Sequence, residues 1–226
     1  MFIHFTEDSY EKALIGLFQE MGYEYAYGPE IERDYQQPYY LEQIWASLPL
    51  VNPSKHQNAI AEAIKKLQNI DSGDLCQRNG VFMDYLQNGI TVAYHDGMEI
   101  RHDIIYLVDY ENVHRNTFHI VNQWTYVEKS EKRADLIVFI NGLPLVLIEL
   151  KSPSREETDA SAAYRQIKNY MFEIPSMFTY NAFCVMSDMM CSKAGTITSS
   201  EDRFMEWKTK DGSYESTQYA DYDTFF

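Results

Sequence analysis

Residues 133–151 read RADLIVFINGLPLVLIELK, two apolar runs on either side of Asn141-Gly142. Both runs are strand-sized and rich in Val, Ile and Leu. An Asn-Gly step between such runs is a strong local signal for a hairpin. Three residues do not belong to a packing pattern: Asp135, Glu149 and Lys151. Glu149 and Lys151 are two apart, so on a strand they share a face, while Val146, Ile148 and Leu150 point the other way, into a core. A purely structural Glu149–Lys151 ion pair is the plain alternative. Burying charges on so apolar a strand is costly unless they are paired or bound to a metal, which favours a functional role.

The turn sets a condition on that role. A regular two-residue Asn-Gly turn pairs Ile140 with Leu143 and therefore Asp135 with Ile148. Directly paired residues share a face, so Asp135 and Glu149 would then lie on opposite faces. A three-residue loop repairs this. Either Ile140 pairs with Pro144, or Phe139 pairs with Leu143 and Gly142 serves as a left-handed bulge residue. The expectation is an odd loop, or a bulge somewhere between residues 135 and 149.

Upstream, residues 6–21 (TEDSYEKALIGLFQEM) predict an amphipathic helix capped by Thr6, with Ala13, Leu14, Leu17, Phe18 and Met21 at helical spacing and Gly22 just past its end. Glu7 and Glu11 share a face of it. A first-helix Glu can complete a metal site, but a solvated Glu is the simpler expectation. Residues 23–38 have no clear period and read as a loop. Short helices are expected over 39–48, after a Ser54 cap, and over 75–89. From Ile90 the period changes. ITVAY, DIIYLVDY and TFHIVNQWTYV alternate and read as strands.

Downstream, Ser154 and Glu157 form a capping box for a helix from Arg155 to about Phe172, with Pro175 just beyond it. Asn181 to Ser187 is a short buried strand, and another is expected around Gly195–Thr198. Helices, strands, helix and strand in that order predict an α/β fold: a mixed central sheet flanked by helices. One domain over residues 1–226 is expected, with a mainly helical part (1–89) and an α/β core (90–200).

Composition narrows the class. Apolar residues make up 45% and aromatics 15%, which supports a sizeable core. No apolar run reaches the length of a membrane span, and no secretory signal is visible, so a cytoplasmic protein is expected. Cys76, Cys184 and Cys191 form no CxxC pair and read as buried free thiols, with a structural zinc site as the alternative. A net charge of −15 argues against a simple nucleic-acid-binding module. The charge is uneven: residues 1–50 hold nine acidic and two basic side chains, residues 151–200 five of each. A DNA-facing surface, if there is one, is expected on the 151–200 side.

An Asp on one strand and Glu-x-Lys at the end of the next is the pattern of a metal-dependent nuclease site. Two carboxylates suit a hard cation such as Mg²⁺, which uses few protein ligands and keeps several waters. Lys151 can orient a water, help to deprotonate it, or stabilise transition-state charge. Gln166 and Tyr170, four apart, share the face of the helix that leaves the site. Gln suits a phosphate or a cation-bound water, and Tyr can hydrogen-bond or stack.

With these residues in view, RADLIVFINGLPLVLIELKSP resembles the nuclease segment of the type I restriction endonuclease R (motor) subunit, the HsdR family within the PD-(D/E)xK nucleases. NTFHIVNQ (116–123) and LVDYEN upstream, and YRQIKNYMFEIPSMFTYNAFCVMSD and GTITSSEDRFMEWKT downstream, extend the likeness over roughly residues 5–210. The resemblance implies a restriction-endonuclease-like core. It implies Asp135 and Glu149 as the acids that bind Mg²⁺, Lys151 as the catalytic lysine, and Gln166 and Tyr170 as the supporting Q-x-x-x-Y pair. Ala134 departs from the family's usual Pro, a residue that shapes backbone rather than doing chemistry.

The implied activity is Mg²⁺-dependent cleavage of double-stranded DNA without sequence preference at the cut. The implied partners are methyltransferase and specificity subunits and the chain's own motor domains. No G-x-x-x-x-G-K-[ST] loop is present, so ATP would belong to motor domains outside this sequence. With the DNA held by those other parts, weak DNA affinity is expected of this domain alone. The other readings are a non-catalytic docking or regulatory module of the same complex, and a stand-alone nuclease of the superfamily in DNA repair.

Overall fold

In the computed structural model, residues 6–151, 160–187 and 192–206 are described. The chain opens with helix α1 (Glu7–Glu20), where Thr6 and Ser9 each bond the other's backbone N–H in a reciprocal cap. Strand β1 (Glu24–Tyr27) follows, then helices α2 (Leu41–Val51), α3 (Gln57–Gln68) and α4 (Leu75–Asn88). Strands β2 (Ile90–Asp96) and β3 (Glu99–Ile105) form a separate hairpin. Strands β4 (Phe118–Val127), β5 (Glu131–Ile140) and β6 (Leu143–Leu150) lead to helices α5 (Ala160–Glu173) and α6 (Pro175–Phe178). Strands β7 (Phe183–Ser187), β8 (Ser192–Gly195) and β9 (Met205–Glu206) complete the described elements.

The sheet is mixed and seven-stranded, in the order β1-β4-β5-β6-β7-β8-β9. The β1/β4 and β6/β7 pairs are parallel and the others antiparallel. A hydrophobic core lies on each face. One face packs Leu136, Val138, Val146, Ile148 and Leu150 against α1–α4 and β2. The other packs Val121, Ile137, Phe139, Leu147 and Met186 against α5 and α6. Val146, Ile148 and Leu150 therefore point into a core as their alternation predicts, and the predicted α/β architecture is the one found.

Several local expectations are corrected. The stretch 23–38 is not all loop: β1 joins the sheet through four parallel pairs with β4, Glu24↔His119 to Tyr27↔Asn122. Its side chains are mostly exposed and show no inside–outside alternation, so no period marks it. In α1 the buried residues are Tyr10, Leu14, Ile15 and Phe18, and Ala13 is exposed. Helix α3 is capped by the His56 ring, whose Nδ1 accepts from the Asn58 N–H, not by Ser54. DIIYLVDY is strand only at its start, and from Tyr106 the chain leaves the ladder. Pro175 does lie just beyond the end of α5, as expected, and it also opens α6 at its first position, where a missing N–H costs nothing. Strand β8 ends at Gly195 rather than starting there. Cys184 is buried, its thiol pushed up to about 12 by burial, but Cys76 is exposed. The Ser154–Glu157 capping box and Cys191 lie outside the described residues.

Candidate active site

The hairpin solves the register problem by combining two features. Ile140 does pair with Leu143 across a two-residue turn, and Asn141 (φ 52°) and Gly142 (φ 80°) both have the left-handed backbone such a turn needs. Taken alone, that turn would separate Asp135 from Glu149. The register then shifts: Phe139 pairs with Pro144 but Val138 pairs with Val146, leaving Leu145 as an extra residue. Leu145 and Val146 accordingly pack into the same core. The bulge is thus at Leu145 and not at Gly142. Past it, Leu136 pairs with Ile148, and the next residues in that register are Asp135 and Glu149.

At that level the strands stop pairing through their backbones. Asp135 Oδ2 instead accepts the Leu150 N–H at 2.9 Å. Glu149 is almost fully buried, at 2% exposure. Its Oε1 accepts from Lys151 Nζ at 2.7 Å, and Lys151 also donates to Leu150 O at 2.8 Å. The Lys151 N–H donates to Ser187 O, and the Ser187 hydroxyl bonds Tyr10 Oη at 2.7 Å, which ties β7 and α1 to the end of β6.

The electrostatics follow from this crowding. Burial, then the neighbouring Asp135 charge, pushes Glu149 up to about 8. Burial pushes Asp135 up to about 6 against its hydrogen bond from Leu150. For Lys151, burial pulls the ammonium down, but Glu149, Asp135 and Glu7 more than offset it, so its pKa is raised and it stays charged. One ammonium thus faces two acids that hold less than their full negative charge near neutral pH.

These residues fit a hard divalent cation. Glu149 Oε2 is buried and has no hydrogen-bond partner. Such an orphaned carboxylate oxygen beside a second carboxylate is an arrangement that a cation relieves. Among the described residues no set of three or more His, Cys, Asp and Glu gathers into a cage. The donors on hand are two carboxylates, a number that suits Mg²⁺ held partly by water and substrate phosphate.

Tyr170 is buried on α5 and donates to Arg133 O at 3.0 Å, fixing the helix to β5 two residues before Asp135. Burial, then the Glu149 charge, raises its phenol, and a hydrogen bond with Gln166 acts the other way. Gln166 and Tyr170 thus stand close together on α5, as their spacing predicts.

On a third side of the site, sequence reasoning weighed a first-helix Glu but expected it solvated, and missed its partners. Glu11 is not a freely solvated residue. Asn122 Nδ2 donates to its Oε1 at 2.7 Å and Gln123 Nε2 to its Oε2 at 2.9 Å. A cavity of about 720 Å³ opens here, lined by Glu7, Glu11, Tyr25, Gln123, Arg133 and Asp135 among others. Glu11 and Asn122 are far apart in sequence, and no local spacing links them.

Comparison with known proteins bears on what such a site does. Residues 4–203 match the family model described as the N terminus of the type I restriction enzyme R protein. The chain belongs to this family. It is 32% identical over 223 residues to the type I restriction enzyme HindI endonuclease subunit of Haemophilus influenzae, covering 94% of this chain and 21% of the relative. It is also 32% identical over 208 residues to a putative type I restriction enzyme MjaIXP endonuclease subunit of Methanocaldococcus jannaschii, covering 88% of this chain and 20% of that one. The EcoprrI endonuclease subunit of Escherichia coli is 27% identical over 190 residues, 74% of this chain and 59% of the relative. The chain spans about a fifth of the length of the first two relatives. Among the described residues no helix is long and apolar enough to cross a membrane.

Proposed function

We propose that this domain is the DNA-cleaving part of a type I restriction enzyme, hydrolysing phosphodiester bonds without sequence preference at the cut. The observation that carries the reading is the Leu145 bulge. It returns Asp135 to the level of Glu149 and Lys151 at the one end of the hairpin where the apolar pattern is broken.

In this reading Asp135 and Glu149 hold Mg²⁺. When bound there, the ion supplies Lewis acidity toward a phosphoryl oxygen and the nucleophilic water. The chain's own residues do the rest. Lys151, anchored by Glu149 Oε1 and Leu150 O, places a permanent positive charge where phosphoryl charge grows. Its raised pKa supports that electrostatic role over one as a base. The Leu150 N–H fixes the Asp135 carboxylate, and Tyr170 fixes the strand behind it.

The remaining parts of the enzyme stand as partners: motor domains that consume ATP, and methyltransferase and specificity subunits that choose the DNA. A non-catalytic docking module has no need of the intact Asp135–Glu149–Lys151 set. The test is plasmid cleavage with Mg²⁺ by the assembled enzyme carrying Asp135→Ala or Lys151→Ala. Cleavage is expected to disappear while translocation continues. Cleavage that survives both substitutions overturns the assignment.

A further inference from the structure

Gln123 is one of two non-glycine residues among those described with a left-handed backbone, at φ 55°. The other, Asn141, belongs to a tight turn that demands it. Gln123 lies inside β4, where nothing in a regular strand does, and a left-handed non-glycine residue there is strained.

Its place in the register is specific. Asn122 pairs with Leu136 and Trp124 with Ala134, so Gln123 stands opposite Asp135, and that pair alone is missing from the ladder. The inside–outside alternation changes at the same level on both strands. On β4, Val121 faces the α5 side, and so do Trp124 and Tyr126, although 121 is odd and 124 and 126 are even. On β5, Ile137 and Phe139 face that side, and so does Ala134. One left-handed residue thus turns the sheet over where the candidate metal acid sits. The backbone of Asp135 is left without its β4 partner there.

The conformation is held from two sides. Glu11 on α1 accepts from the Gln123 side chain and from its neighbour Asn122. Gly28 lies against the same peptide from the end of β1: a Cβ there would come within 2.8 Å of Asn122 O and 2.9 Å of Gln123 O. Only glycine tolerates that approach.

We propose that Gln123 is a positioning residue for the cation site. Its left-handed backbone, clamped between Glu11 and Gly28, opens the sheet beside Asp135 so that the carboxylate reaches across to Leu150 N and Glu149 instead of lying in a continuous ladder. This inference rests on the reading of Asp135 and Glu149 as cation ligands, and the test separates the two.

The probe is Mn²⁺ alone, titrated into the full chain by calorimetry, with thermal unfolding as the check on folding. Asp135→Ala is the control. Gln123→Val removes the left-handed backbone, because a β-branched residue resists it, and is expected to weaken Mn²⁺ binding by roughly ten-fold or more, the scale of losing support for a ligand. Gln123→Gly and Gln123→Asn keep the backbone and are expected to stay close to wild type, a recovery that general loss of packing would not give. If Gln123→Val does not fold, Gly28→Ala presses on the same peptide and decides the matter with the same expected loss. Wild-type affinity in both Gln123→Val and Gly28→Ala, with Asp135→Ala dead, overturns the positioning role only. Unchanged binding in Asp135→Ala overturns the cation site and this inference together.

Discussion

The two ends of the β5/β6 hairpin bury polar residues in opposite ways. At the turn, Asn141 is fully buried, and its backbone N–H and both ends of its side-chain amide are bonded. The N–H donates to Thr117 O at 2.9 Å, Oδ1 accepts from Thr117 N at 2.8 Å, and Nδ2 donates to Leu107 O and Asn116 Oδ1 at 2.9 and 2.8 Å. At the open end, Glu149 is almost as deeply buried but can carry a charge, leaves Oε2 unpartnered, and faces a second carboxylate. A satisfied buried amide specifies one structure, whereas an unsatisfied buried acid is a standing cost that a ligand can remove. The hairpin is therefore a rigid arm: the turn end fixes the register, and the open end gives up some of that stability for chemistry.

The largest expected effect tests that division. Glu149→Gln keeps the shape and an oxygen for Lys151 but removes the charge. DNA cleavage by the assembled enzyme should fall on the order of a thousand-fold, the scale of losing a charge-stabilising group in a preorganised site. The melting temperature of the chain should not fall, and should rise if the buried charge is a burden on the fold. A variant that loses cleavage and stability together would make the acid structural and break the contrast.

Asn141→Ala probes the other end. It strips the side-chain bonds to Thr117, Leu107 and Asn116 and leaves an alanine at φ 52°. Urea unfolding should show a loss of about 2–4 kcal/mol. A loss well below that would mean the loop before β4 can repack around the turn.

Proton linkage gives the next effect. Asp135 and Glu149 have pKa values raised from ordinary carboxylate values to about 6 and about 8. Across that window the folded chain binds more protons than the unfolded one, so stability falls as pH rises from the ordinary carboxylate range to about 8. Without divalent cations, the melting temperature should drop by many degrees over this range, since each tenfold change in proton affinity is worth about 1.4 kcal/mol. Glu149→Gln should flatten the upper part of the curve. Saturating Mg²⁺ should restore stability most at the alkaline end, because its binding displaces protons. A flat curve for the wild-type chain would mean the acids are less strained than their burial indicates.

What the sequence disclosed follows the same lines. Asp135, Glu149 and Lys151 were legible because charge on an apolar strand is expensive and so conspicuous. The need for a bulge was legible because a strand alternates with period two, but its place was not: Leu145 looks like every other residue of β6. The sheet's first strand was hidden because β1 exposes most of its side chains and has no period. Glu11 was legible as a possible metal-site residue, but its link to Asn122 and Gln123 was invisible for a different reason. Their contacts join α1 to β4 across more than a hundred residues, and a glutamine in a strand gives no sign that its backbone is left-handed. Local spacing reported the chemistry, and only the assembled sheet reports what holds it in place.

The smallest effect is expected from Tyr170→Phe, and it sharpens the comparison because this hydroxyl is satisfied although it stands at the unsatisfied end. The ring stays in its core beside Ile167 and Ala163, so packing is kept. What is lost is the bond to Arg133 O. The cost should be about 1 kcal/mol by urea unfolding, as for one intramolecular hydrogen bond. Gln166→Ala should cost no more, since that side chain is only half-buried. Because the two residues are neighbours on α5, the double variant should depart from the sum of the singles. Cleavage should fall only modestly in each, since the Tyr170 hydroxyl is spent on Arg133 O, behind the acids, and Gln166 supports Tyr170. If Tyr170→Phe instead silences cleavage as fully as Asp135→Ala while leaving stability intact, the hydroxyl meets the DNA itself. The open end of the hairpin would then have a fourth working residue.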